Sequence, residues 1–233
     1  MAFIMNSSGY LSDFLKYLAK LSGSGNSRLP SLNELSKELR ISVASLREQL
    51  EIARVLGFVE VKPKTGIKWL PYSFAPSILV SSAYAIEISP EYFDQYRDMR
   101  NHLEAIYFYE AVALLNSDDL QQLLRIITEA ERKIDGIPPK SPNIEHRDWH
   151  LLLFSHIDNV FINGFLTVYW EIYQKQDYAF VSDSIYLRNV WSYHRKITEQ
   201  ILVSDFSKAY QTFLEHKDLI KLSPKPVPNH KFE

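Results

Sequence analysis

Histidines carry the chemistry that this sequence spells out. His146 and His150 stand four residues apart, so on a helix they share one face and two imidazoles can reach one ion. His194 and His216 lie ten residues before and twelve after Ser204. If Ser204 marks the turn of an antiparallel helical hairpin, both emerge at nearly the same level. A lone histidine is more often a surface or hydrogen-bonded core residue, but here two separate pairs agree. Four imidazoles from three helices, converging inside a bundle, suit a divalent transition metal, with Zn or Ni first and Cu or Mn next, rather than Mg or Ca. The chain has no cysteine, which excludes thiolate ligands, a cysteine nucleophile and disulfides together. Any transition-metal site must therefore be built from histidine and carboxylate. Catalysis is not expected of it: four histidine ligands leave little room for an open coordination position, and Glu145 and Asp148 fall off the histidine face. His102 and His156 read as structural and His230 as tail.

The elements that must position these histidines are helical. From Pro90 onward the apolar residues recur at helical intervals. They predict a long helix over 91–115, a second over 117–134 capped by Ser117-Asp118-Asp119, and further helices at about 143–157, 161–176, 184–203 and 205–221. Gly136 with Pro138, Pro139 and Pro142 breaks the run. This is an all-helical bundle of six to seven helices over residues 91–222, with a tail at 223–233.

The first third of the chain is of another kind. The net charge of −2 divides into +4 over residues 1–72 and −6 over the remainder. A basic head on an acidic body is expected where only the head meets a polyanion. Leu11, Phe14, Leu15, Leu18 and Leu21 space out an amphipathic helix. Ser31 with Glu34 forms a capping box for a second. Ser42 or Ser45 caps a third through Leu46, Leu50, Ile52 and Leu56, closed by Gly57. Residues 58–62 then alternate, turn at Pro63 to Gly66 and resume in Ile67-Lys68-Trp69 as a hairpin. The class is mainly α: a winged helix-turn-helix at 1–72, a linker at 73–90, then the bundle. In such a head the capping hydroxyls of Ser31, Ser42 and Ser45 meet phosphates, Arg47 on the third helix reaches the major groove, and Arg28, Lys62 and Lys64 serve the flanking backbone.

The order Leu29-Pro30-Ser31-Leu32-Asn33-Glu34-Leu35, Ile41-Ser42, Leu46-Arg47-Glu48-Gln49-Leu50, Leu56-Gly57-Phe58-Val59 and Gly66 resembles the GntR family of bacterial transcription regulators over about residues 8–70. The resemblance implies DNA contact at Ser31, Arg47 and Gly66. Two arginines usual in the family are replaced by Asn33 and Val43, which removes candidate base contacts. Arg100, Glu104, Trp149-His150, Asn159, His194, Asp205 and His216 are similar to the FCD effector domain of the FadR-type subfamily, over about 90–220. That resemblance implies a metal held by His150, His194 and His216. His146 takes the place of the usual acidic ligand. It also implies a small organic-acid effector beside the metal, for which Arg100 and Arg188 are the candidate anchors and Tyr107, Tyr109, Trp170 and Tyr186 candidate walls.

These readings converge on a DNA-binding regulator that acts as a homodimer on palindromic double-stranded DNA, because one recognition helix reads only a few base pairs. The alternatives are a metal- and ligand-binding module with weakened or lost DNA recognition and, further off, a histidine-site metalloenzyme. The uncharged stretch between Lys68 and Glu87 contains Pro71 and Pro76 and does not make a membrane span. Asp13, Lys16 and Lys20 interrupt any export-signal pattern, so a cytoplasmic protein with no membrane partner is expected.

Overall fold

The starts of several helices in this chain are set by side-chain oxygens that accept the otherwise unpaired amides of a first turn, whereas the helices after Pro90 and Pro142 begin without such a cap. The Ser31 hydroxyl accepts from the Glu34 amide (3.3 Å) while the Glu34 carboxylate accepts from the Ser31 amide (2.8 Å), which starts α2 (Leu32–Leu39) after α1 (Asp13–Leu21). Ser42, not Ser45, caps α3 (Val43–Val55), accepting from the Ser45 amide at 3.2 Å. Between them Arg40 takes up a left-handed conformation, φ 55°. Gly57 ends α3 at φ 74°, where a Cβ would also come within 2.5 Å of Pro76; only glycine fits both demands. Strands β1 (Val59–Lys62) and β2 (Gly66–Trp69) pair antiparallel, Val59 opposite Trp69 and Lys62 opposite Gly66. The Leu29 amide adds a bond to the Ile67 carbonyl, 3.0 Å, so the segment before α2 extends the wing. Phe14, Leu18, Leu35, Leu46, Ala53, Val59 and Ile67 form the core of this unit. Ile52, read in the apolar row of α3, is instead 52% exposed.

This computed structural model describes residues 9–21, 28–63, 66–175 and 184–219; the tail at 223–233 lies outside them. The chain divides into two compact units between Val80 and Ser81. That division falls inside α4 (Ala75–Ile88), a helix formed by most of the segment expected to be a linker. Pro76 sits in its first turn, where the missing amide proton costs nothing. None of its residues is buried, so it lacks the apolar period that reveals a helix in sequence.

Among the described residues six helices follow: α5 (Glu91–Leu114), α6 (Ser117–Ile134), α7 (Asn143–Leu153), α8 (Val160–Lys175), α9 (Ser184–Leu202) and α10 (Phe206–Leu219). The start of α6 differs from expectation. Asn116 is its cap, accepting from the amides of Asp118 (2.8 Å) and Asp119 (3.1 Å), with Asp119 returning to the Asn116 amide (2.9 Å). α9 packs on α6 and α10, α7 on α6 and α8, and α5 on α8 and α10. Trp149, Trp170 and Trp191 are fully buried among them. Among the described residues no helix is long and apolar enough to cross a membrane.

Candidate metal centre

One face of α7 carries His146 and His150, α9 supplies His194 and α10 supplies His216. The helical hairpin of α9 and α10 turns at Ser204, φ 59°, and brings the last two rings to 4.3 Å centroid to centroid. All four histidines are buried, and one nitrogen from each falls within 4.8 Å of the others. The Nε2 atoms of His150 and His194 are 3.4 Å apart, close to the spacing of two nitrogens bonded at about 2.0–2.1 Å to one tetrahedral ion.

Indoles wall the cluster. Trp170 stacks on His150 at 4.6 Å, Trp191 on His194 at 4.7 Å, and Trp149 meets the His194 ring edge to face at 4.4 Å. The Trp149 indole nitrogen donates to Thr198 (3.1 Å), whose hydroxyl donates to the His194 carbonyl (2.9 Å). Burial among these rings disfavours the charged imidazolium. It brings His194 down to about 3 and pushes His146, His150 and His216 well below the ordinary histidine value, with the Arg100 charge and neighbouring imidazoles adding to the effect. Four neutral imidazoles are what a transition metal binds. His194 places its Nδ1 2.9 Å from the Val190 carbonyl; donation there leaves the Nε2 lone pair facing the cluster.

The residues fit such an ion. His146 Nε2, His150 Nδ1 and both ring nitrogens of His216 are buried without a hydrogen-bond partner. A buried polar atom left unpaired costs about 1–3 kcal/mol, and coordination of nitrogens among them would remove that cost. His146, His150, His194 and His216 would hold the metal. When bound it supplies a concentrated positive charge that attracts an anion.

Arg100 is the cation beside the cluster. It is 1% exposed, donates to Glu104 at 2.8 Å and to the Tyr169 hydroxyl at 3.3 Å, and lies over the Tyr169 and Trp170 rings at 4.7 and 4.9 Å. Burial works against its charge, yet Glu104 and Tyr169 hold its pKa above the ordinary arginine value. Arg188 does not join it: on the surface of α9, it donates to Asp135 through Nε (3.0 Å) and Nη2 (2.8 Å). Of the expected aromatic walls, Trp170 lies against the histidines, whereas Tyr109 packs on Tyr210 at 5.0 Å. Trp149 and Trp191 are walls that sequence reasoning missed, because helical spacing marks them as core without saying what they face. Glu145 pairs with Lys133 (2.6 Å) and Asp148 with Arg147 (2.7 Å).

In the first unit, Ser31 and Ser42 cap their helices from exposed positions and Arg47 is exposed on α3. Arg47 and Lys62 line one depression between α3 and β1 with Arg54, Glu51 and Pro63. Lys62 also pairs with Glu60 at 2.8 Å. Ser45 is half-buried and accepts from Gln49 at 3.2 Å. Arg28 is exposed and bridges to Lys68 through its backbone, and Gly66 opens β2 at φ 80°. Lys64 lies outside the described residues.

Fold and site together define a winged helix-turn-helix protein with a helical domain built around a buried histidine cluster. The FCD domain family matches residues 95–218, more than half of the chain, and the chain belongs to that family. Its architecture is that of a GntR-type protein with a C-terminal FCD domain. The GntR structure from Streptococcus agalactiae is similar at 16% identity, covering 89% of this chain and 96% of that one with a TM-score of 0.62. McbR/YncC of E. coli is similar at 14% identity, covering 91% and 96%, with a TM-score of 0.50. At these identities the likeness is one of fold. No curated protein matches the chain in sequence.

Proposed function

We propose that this protein is a DNA-binding transcriptional regulator whose affinity for its operator is set by a small organic acid held beside a divalent transition metal, Zn or Ni, in the FCD domain. The observation that carries this reading is the buried four-histidine cluster with the Arg100–Glu104 pair beside it, Glu104 lying 3.3 Å from His150 Nδ1. Four neutral imidazoles around a dication bring no negative charge of their own, and an uncompensated buried cation is expensive. A carboxylate is the small ligand that answers both the metal and the guanidinium.

The winged helix supplies the other half. Arg47 offers base-edge contact from α3, the α2 and α3 N-termini with Ser31 and Ser42 offer phosphate contact, and Arg28, Lys62, Lys64 and Gly66 form the wing side of the interface. A homodimer on a palindrome doubles the sequence that is read. The acid regulates by binding more tightly to one arrangement of the paired heads than to another.

The test is the affinity of the purified protein for genomic fragments, metal-free and zinc-loaded, with and without a panel of mono- and dicarboxylates. Metal and acid together should shift affinity for a specific fragment about 5- to 150-fold. Binding no better than nonspecific at modest salt, for every fragment, would overturn the reading.

A further inference from the structure

Glu104 is a buried carboxylate of α5, 1% exposed, and only part of it is accounted for. Its Oε2 accepts from Arg100 at 2.8 Å. The same oxygen lies 3.3 Å from His150 Nδ1, but without the alignment of a hydrogen bond; His150 Nδ1 is buried without a hydrogen-bond partner, and so is Glu104 Oε1. Oε2, already bonded to Arg100, and the partnerless His150 Nδ1 face each other in a dry interior, and a small ring rotation would align a hydrogen bond between them.

We propose that Glu104 is the positioning residue of the metal centre: its carboxylate takes the Nδ1 proton of His150 as a hydrogen bond, so that Nε2 carries the lone pair presented to the ion. The proposal rests on the metal reading above. Nε2 is the nitrogen already turned toward the cluster, 3.4 Å from His194 Nε2. A carboxylate bonded to the far nitrogen fixes the tautomer, orients the ring and makes the ligating nitrogen more basic. For His194 a backbone carbonyl occupies the same place, 2.9 Å from Nδ1. Among the described residues no backbone carbonyl hydrogen-bonds His150 Nδ1, and Glu104 is what it meets there. Charge points the same way. Among the described residues Glu104 is the carboxylate placed against a cluster imidazole, while Glu145 and Asp148 are tied to Lys133 and Arg147. The Arg100 bond to the same oxygen then holds Glu104 in place.

The experiment uses the full-length protein and zinc as the probe. Imidazole nitrogens of the zinc-loaded wild type are read by long-range proton–nitrogen NMR, and zinc affinity is measured by competition with a chromophoric chelator for the wild type and Glu104→Gln. The expected result is His150 protonated at Nδ1 and bound through Nε2, with affinity falling about 10- to 100-fold in Glu104→Gln. A purely structural role would leave the tautomer free of any dependence on Glu104. His150 bound through Nδ1 in the wild type would overturn the proposal, and that measurement needs no variant to fold. Wild-type zinc affinity in a folded Glu104→Gln protein would overturn it alone, whereas absence of zinc uptake by the wild type would overturn the metal reading and this proposal together.

Discussion

A buried neutral histidine binds fewer protons than the same residue in the unfolded chain, and the four here give the bundle an acid liability. His194 is held near 3 and the other three well below 6.5. Above about pH 6.5 both folded and unfolded chains are deprotonated and no stability is lost. Between pH 6.5 and 3 the unfolded chain takes up protons that the folded one refuses, so stability falls as pH falls, by about 1.4 kcal/mol per pH unit for each histidine fully in that window. The metal-free protein should therefore hold its melting temperature from pH 7.5 to about 6.5 and melt at progressively lower temperature from there to pH 5, as followed by circular dichroism. A melting temperature that stays flat would mean that the rings are not buried neutral. The histidines were legible in sequence because helix geometry alone fixes what i and i+4 share, and because Ser204 marks a turn. What they touch was not legible. Arg100 and Glu104 are also four apart, yet that spacing cannot say that the pair lies against His150, or that Arg188 turns away to Asp135.

At the scale of elements, caps decide where helices begin, and α6 provides a test. The chain offers three adjacent cap-forming residues after Asn116, and the structure selects Asn116, whose side chain serves two amides. Asn116→Ala should destabilise the bundle by about 1 kcal/mol, while Ser117→Ala should change it by less than about 0.5 kcal/mol. Urea unfolding followed by tryptophan fluorescence measures this, since Trp149, Trp170 and Trp191 are buried in the bundle; equal effects would return the cap to Ser117. Boundaries of α5, α6, α8, α9 and α10 could be read closely from sequence because each buries an apolar stripe, and burial is what imprints the 3.6-residue period. α4 buries none of its residues, so nothing in its pattern separates it from a linker. The expected helix over 143–157 stops at Leu153 because the chain turns through Phe154 to His156, with Phe154 and Ile157 still buried. Their apolar spacing survives the helix end and disguises it.

For the whole molecule the question is whether two units with separate cores do separable work. The first unit holds the positive balance of the chain and the second the negative, so affinity for a polyanion should be lost through the first and metal uptake through the second. Arg47 discriminates. It is exposed on α3, beside Lys62 and not part of the winged-helix core, so its removal leaves the fold intact. If it contacts a base edge, Arg47→Ala should cost about 1–3 kcal/mol of DNA affinity, roughly 5- to 150-fold, and relax sequence preference at that position. If it contacts only phosphate, the loss should be uniform across sequences, and the dependence of log affinity on log salt should flatten by about one unit. Zinc affinity should be unchanged in either case, because no histidine ligand has moved. Fluorescence anisotropy with specific and scrambled duplexes at several salt concentrations separates these outcomes. DNA affinity unaltered by Arg47→Ala would mean a head that no longer reads DNA, the state that Asn33 and Val43 at usual arginine positions would permit.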